Sequence, residues 1–211
     1  MDLYFSPLAS SLASRIALYE AGAPARFIEV DARTKRTIDG ADYLEVYPLG
    51  LVPLLRLDDG SLLSENPAIL QYIAGRYPQA KLAPTDDIGR ARLQQWLCFI
   101  ATELHLGLFC QLFDQTAPAS TRTHTLAKSE SRLQYLNDHV DGREFLLDHF
   151  TVADAYLCTA LNWAVPTRVD LGRFPAIKSY QRRQRMRPSI EKAFQQELAL
   201  YKAELARHQV A

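Results

Sequence analysis

The sequence predicts an α+β chain: a βαβ-α-ββα unit followed by an all-helical unit. Two observations carry this. Strand signals occur only before about residue 80, and the patterns after Pro78 are long helical ones with no strand among them. Strands first and helices afterwards argue for layers of two different kinds rather than one interleaved sheet. The expected organisation is a first domain over 1–78, a linker over 79–86 and a helical domain over 87–211.

The elements follow in order. Residues 2–5 form a short aromatic strand ended by Ser6-Pro7. Over 11–21, Leu12, Ile16 and Tyr19 recur near every 3.6 residues, so a helix is expected, stopped by Gly22 and Pro24. Residues 26–31 alternate with period two and read as a second strand, with Phe27 inward. A polar loop with Arg33, Lys35 and Arg36 follows, then one or two helical turns over 42–47 closed by Pro48. Residues 53–57 and 61–63 are two strands joined by the turn signal Asp58-Asp59-Gly60. Residues 66–76 form a helix with Ile69, Leu70 and Ile73 on one face. Beyond the linker, helices are expected over 88–113, 121–140, 151–165, 175–186 and 188–207. The last carries Ile190, Phe194, Leu198, Tyr201 and Leu205 as its apolar stripe. Thr151 is expected to cap the third of these helices, answered by Asp154.

Composition excludes several classes. Lys plus Arg and Asp plus Glu number 24 each, so the net charge is zero and there is no electrostatic footprint for nucleic acid or an anionic membrane. No run is read as long and apolar enough to span a bilayer, and the first residues do not resemble a signal peptide. The three cysteines, Cys98, Cys110 and Cys158, are odd in number and widely spaced, which suggests reduced thiols in a cytoplasmic protein. No His/Cys/carboxylate spacing suggests a metal, so none is expected.

Two segments a dozen residues apart carry the chemistry: Gly50-Leu51-Val52-Pro53 and Ser64-Glu65-Asn66-Pro67. Backbone just before Pro53 can pair with an extended peptide-like ligand, and a helix start bearing Ser64 and Glu65 can hold a carboxylate and an ammonium group. A small peptide with both charged ends fits that pair. Each residue also has a plainer use. Ser10 or Ser11 can cap a helix, Pro53 can open a strand, and Ser64 with Glu65 can be an ordinary helix start. Lys35 can be solvated, and His105 can be a satisfied core histidine.

In sequence and order, Tyr47-Pro48-Leu49-Gly50-Leu51-Val52-Pro53, Leu63-Ser64-Glu65-Asn66, Asp58-Asp59-Gly60 and Phe150-Thr151-Val152-Ala153-Asp154-Ala155-Tyr156 resemble the landmarks of the cytosolic glutathione S-transferases. Ser11-Leu12-Ala13-Ser14, Trp96 and Ile100-Ala101-Thr102-Glu103-Leu104-His105 make the resemblance strongest to the bacterial beta class. The resemblance implies a thioredoxin-like, glutathione-binding first domain and a helical domain carrying the second-substrate pocket. It implies a detoxifying transferase of alkyl or aryl groups in the cytoplasm, a homodimer that takes glutathione and a small apolar electrophile, without metal. It assigns Lys35, Val52, cis-Pro53, Ser64, Glu65 and Asn66 to glutathione. Ser10, with Ser11 as fallback, and His105 are the catalytic candidates. Leu8, Cys98, Phe99, His105 and Phe109 are candidate walls of the second pocket, and Glu103 is placed toward a partner's glutathione. The chain departs from the class at several positions: Ser10 replaces its cysteine, Leu8 a glycine, Phe5 a tyrosine, Cys98 an asparagine, and Leu106 a lysine. The alternative is a binding or regulatory protein that keeps the fold without the chemistry.

Overall fold

The computed structural model describes residues 1–209; the last two positions of the helical domain expected over 87–211 lie outside them. Contacts divide the chain into two units, one of Met1–Leu82 with the segment from Pro188 onward, the other of Ala83–Arg187.

The first unit holds a four-stranded sheet made of β1 (Asp2–Phe5), β2 (Arg26–Glu29), β3 (Leu54–Arg56) and β4 (Leu62–Ser64), in the order β2-β1-β3-β4. β1 runs parallel to β2 and antiparallel to β3, and β3 is antiparallel to β4. The parallel pair needs a crossover, which α1 (Ser11–Glu20) supplies. The antiparallel pair needs only the tight turn at Asp58-Asp59-Gly60, where Gly60 takes φ +85°. β1 is an inner strand, buried from Leu3 to Phe5, and those three positions are aliphatic or aromatic. Tyr4 packs with Val30, Tyr43 and Leu54, its ring 5.3 Å from that of Tyr43. Phe5 instead meets Phe27 edge-on at 6.4 Å, so these neighbours face opposite sides of the sheet. α2 (Asn66–Arg76) buries Ile69, Leu70 and Ile73 as its spacing requires. β2 stops at Glu29, short of residue 31, because Asp31 turns its amide to the Arg36 carbonyl and starts the loop. The helical turns over 42–47 are a 3-10 turn at Tyr43–Glu45, capped by Asp42.

The second unit contains α3 (Asp87–Phe113), α4 (Ala119–Val140), α5 (Val152–Asn162), the short α6 (Ala164–Thr167) and α7 (Pro175–Arg185). The Asp86 side chain caps α3 by accepting from the Gly89 amide. From Ile100 to Cys110 the helix widens to π geometry. α3 corrects one expectation: by length and composition it is apolar enough to cross a bilayer. Its Leu97, Ile100, Leu104, Leu108 and Phe109 are fully buried within the protein. The helix expected over 151–165 breaks at Trp163. Pro166 has no amide to donate to Asn162, and the ladder restarts only as the four-residue α6. At the head of α5, Thr151 and Asp154 form the expected reciprocal cap. Asp154 also accepts from the Leu146 amide and from the Tyr180 hydroxyl on α7 at 2.6 Å. One buried carboxylate thus joins the loop before α5, α5 itself and α7. Burial pushes its pKa up, with those hydrogen bonds opposing.

The C-terminal helix α8 (Pro188–Gln209) groups with the first unit, not with the helical domain expected over 87–211. Its buried positions are Ile190, Ala193, Glu197 and Glu204. The stripe through Phe194, Leu198, Tyr201 and Leu205 is not the packed one, and Leu205 is 44% exposed. The reason is a buried ion pair, Arg15 on α1 to Glu197 on α8 at 2.8 Å, which makes a charged position the centre of the packed face.

Candidate functional site

The two chemistry-bearing segments meet in the first unit. Leu54 pairs with Ser64 across β3 and β4, which brings Pro53, just before β3, and Glu65, just after β4, to the same end of the strand pair. The Val52-Pro53 bond is cis. At the start of α1 the Ser10 hydroxyl donates to the Val52 carbonyl at 3.2 Å and does not cap its own helix. Helix starts leave their first amides without intrahelical acceptors, and the positive dipole end of α1 lies at the same place.

Lys35 reaches this segment from the loop after β2. Its ammonium donates to the Gly50 carbonyl at 3.0 Å, and the Tyr43 hydroxyl donates to the next carbonyl, Leu51, at 2.8 Å. Gly50 has two reasons to be glycine. Its φ is +60°, and an added Cβ would lie 2.9 Å from Leu44 Cδ2 and 3.2 Å from Lys35 Cδ. Three other residues of the site take the left-handed region without being glycine: Leu8 at φ +60°, Lys35 at +56° and Glu65 at +65°. Such backbone costs on the order of 1–3 kcal/mol per residue and persists where the surroundings impose it. The Glu65 side chain is exposed, while its carbonyl starts α2 by accepting from the Ala68 and Ile69 amides.

Two expected site residues are used internally. The Asn66 side chain donates to the Ser10 carbonyl at 3.1 Å and accepts from the Ser14 hydroxyl at 2.8 Å. It braces α1 against α2. Ser11, the fallback catalytic hydroxyl, is fully buried and donates to the Ser6 carbonyl at 3.3 Å. Ser10 is left as the hydroxyl that borders the Val52-Pro53 segment.

In the second unit, the His105 ring lies 2.7 Å from the Tyr156 hydroxyl through Nδ1 and packs 4.8 Å from the Trp163 ring. Burial holds its pKa below the ordinary histidine value. Phe109 is fully buried and meets the same Trp163 edge-on at 5.8 Å. Phe99 belongs to a different cluster with Trp96 and Tyr135, so the pocket wall expected from Phe99, His105 and Phe109 is divided between two aromatic groups. Cys98 is exposed on α3. Glu103 accepts from Arg132 Nε at 2.9 Å, and that hydrogen bond lowers its pKa, so its charge is answered within the chain.

The sequence reading missed two groupings. Asp31, Glu204 and His208 bring ligand atoms within 4.8 Å of one another, with His208 Nε2 2.9 Å from Asp31, which corrects the expectation that His and carboxylates would not cluster. Glu197 accepts from the Leu8 amide at 2.8 Å, two residues before Ser10. The signal for the second was Arg15, the one charged residue within the otherwise small and apolar run from Ser11 to Leu18.

Comparisons with known proteins point to one family. Residues 9–76 match the family model described as the glutathione S-transferase N-terminal domain. The chain is 40% identical over 199 residues to glutathione S-transferase GstA of Escherichia coli O157:H7, covering 93% of this chain and 98% of that protein. It superposes with a TM-score of 0.88 on a sphingomonad glutathione S-transferase solved with glutathione, at 37% identity and with 93% and 98% of the two chains covered. The bacterial beta-class glutathione S-transferase of Sphingomonas chungbukensis gives the same TM-score and coverage at 38% identity.

Proposed function

The chain belongs to the glutathione S-transferase family, and on that premise we propose that it is a glutathione transferase whose first unit holds reduced glutathione along Val52-Pro53. It is of the beta-class type, with Ser10 where that class carries cysteine. Glutathione is the co-substrate. The observation that carries the reading is the convergence of Ser10, Val52, cis-Pro53 and Glu65 at one place.

The ligand's backbone would take over Val52 as its pairing partner, which frees the Ser10 hydroxyl from the Val52 carbonyl for the sulfur. Glu65 and the start of α2 would hold the γ-glutamyl end, and Lys35 the glycine carboxylate. A free thiol has a pKa near 8.5, so a thiolate at neutral pH needs a drop of about two units, or roughly 2.7 kcal/mol. The α1 dipole supplies about 0.3–1 kcal/mol, and one hydrogen bond to a charged acceptor about 1.5–3 kcal/mol. Together these are of the required size without a metal. The serine stabilises and positions the thiolate and forms no mixed disulfide, because a hydroxyl cannot exchange with a thiol. The second substrate is a small apolar electrophile, and His105 and Phe109, which share one aromatic group of the second unit, are the candidate wall residues for it. A homodimer and a cytoplasmic location belong to the same proposal; the three free thiols support a reducing compartment.

Calorimetry with reduced glutathione, followed by turnover of a chlorinated nitrobenzene, tests the reading. Binding with conjugation supports it. Binding without turnover on any electrophile would support the non-catalytic alternative, which the full-length match to transferases does not favour.

A further inference from the structure

Glu197 is the most deeply buried acid of the first unit, with a fully buried side chain at the centre of the α1–α8 packing. Each of its oxygens has a separate task. Oε1 lies 2.8 Å from Arg15 Nε, and Oε2 accepts from the Leu8 amide at 2.8 Å. The Arg15 guanidinium is itself fixed, lying 4.2 Å from the centre of the Phe5 ring and 4.0 Å from that of Phe27. The acid therefore cannot follow Leu8 if the loop moves; the loop must come to it. Leu8 meets it in the left-handed conformation, which a leucine avoids when unconstrained. The chain then turns through Ala9, whose amide bonds to the Ser6 carbonyl, and delivers Ser10 to Val52.

We propose that Glu197 is a positioning residue: as a carboxylate paired with Arg15, it pins the left-handed turn at Leu8 and so sets the Ser10 hydroxyl at the glutathione site. This rests on the reading of that site given above. The charged groups acting on Glu197 are Arg15 from α1 and Glu29 from β2, the latter paired with Arg207 of α8. Burial pushes the Glu197 carboxyl up to about 7, against the attraction of Arg15 and the Leu8 amide. As pH falls through that value the carboxylate takes a proton, the pairing with Arg15 is lost, and the Leu8 amide keeps only a neutral acceptor. The pin loosens on the acid side.

The test is calorimetric binding of S-methylglutathione, which has no thiol to titrate, to the wild-type chain and to Glu197→Gln between pH 6 and 8, on either side of the Glu197 value of about 7. Wild-type affinity is expected to fall about tenfold toward pH 6, while Glu197→Gln binds at the weak level throughout with a flat profile. Adding Leu8→Gly to Glu197→Gln should recover affinity, since glycine takes the positive φ at no steric cost. A flat wild-type profile, or a Glu197→Gln profile that superposes on the wild type, overturns the positioning role. If Glu197→Gln does not fold, the wild-type profile alone decides. Failure of the wild type to bind S-methylglutathione at any pH would instead overturn the glutathione reading itself.

Discussion

Lys35 and Glu65 hold unfavourable backbone angles; Lys35 reaches the Gly50 carbonyl, and Glu65 follows Ser64, which pairs with Leu54 just after Pro53. In the proposed reading they would bind the two ends of glutathione without touching its sulfur. Lys35→Ala and Glu65→Gln are accordingly expected to raise the KM for glutathione, each by about ten- to a hundredfold, with much smaller changes in kcat. Steady-state kinetics at saturating electrophile measures the split. At this scale the sequence was partly readable. The cis Val52-Pro53 bond and the pairing of the segment after Pro53 with the one ending in Ser64 follow local motifs, which is why they could be anticipated. Asn66 and Ser11 were not readable as internal residues. Their hydrogen bonds go to Ser10, Ser14 and Ser6, and which polar side chain is consumed by packing is decided by helix contacts that no local pattern records. Leu8 is the instructive case. The resemblance to the beta class marked it as a departure from glycine, but the acid that holds it lies 189 residues away.

Asp154 does the most for any single element, since four donors, from the loop before α5, the Thr151 cap and α7, end on it. Asp154→Ala leaves those donors buried without acceptors, and a loss of about 3–5 kcal/mol is expected in a urea unfolding midpoint. This pair was legible because a capping box is a local device with a fixed spacing. His105 on α3 offers a second check at this scale. Burial depresses its pKa, so the folded state binds fewer protons there than the unfolded chain does. Its contribution to stability is present above the unfolded value of about 6.5 and is lost as pH falls below it. By nuclear magnetic resonance, the His105 ring is expected to stay neutral through pH values near 6.5 while an exposed histidine titrates. Element limits were readable where apolar period and punctuation agreed, as in α2. They were not where a single missing amide decided, as at Pro166, or where a charged pair formed the packed face, as in α8.

For the whole molecule, the division of strands from helices was plain in the sequence, but the membership of α8 was not. A C-terminal helix that packs on the first unit through Arg15 and Glu197 looks, to a hydrophobic pattern, like one more member of the helical set. The proposed homodimer is a prediction at this scale, and sedimentation equilibrium should return twice the 23.9 kDa chain mass. The central claim is that bound glutathione carries its sulfur as a thiolate beside Ser10. It is tested most directly by titrating the thiolate absorbance of glutathione bound to the wild type and to Ser10→Ala. The account predicts a bound thiol about two pKa units below the free one, and a return of one to two units in Ser10→Ala. A bound thiol that titrates near 8.5 in both proteins would contradict it.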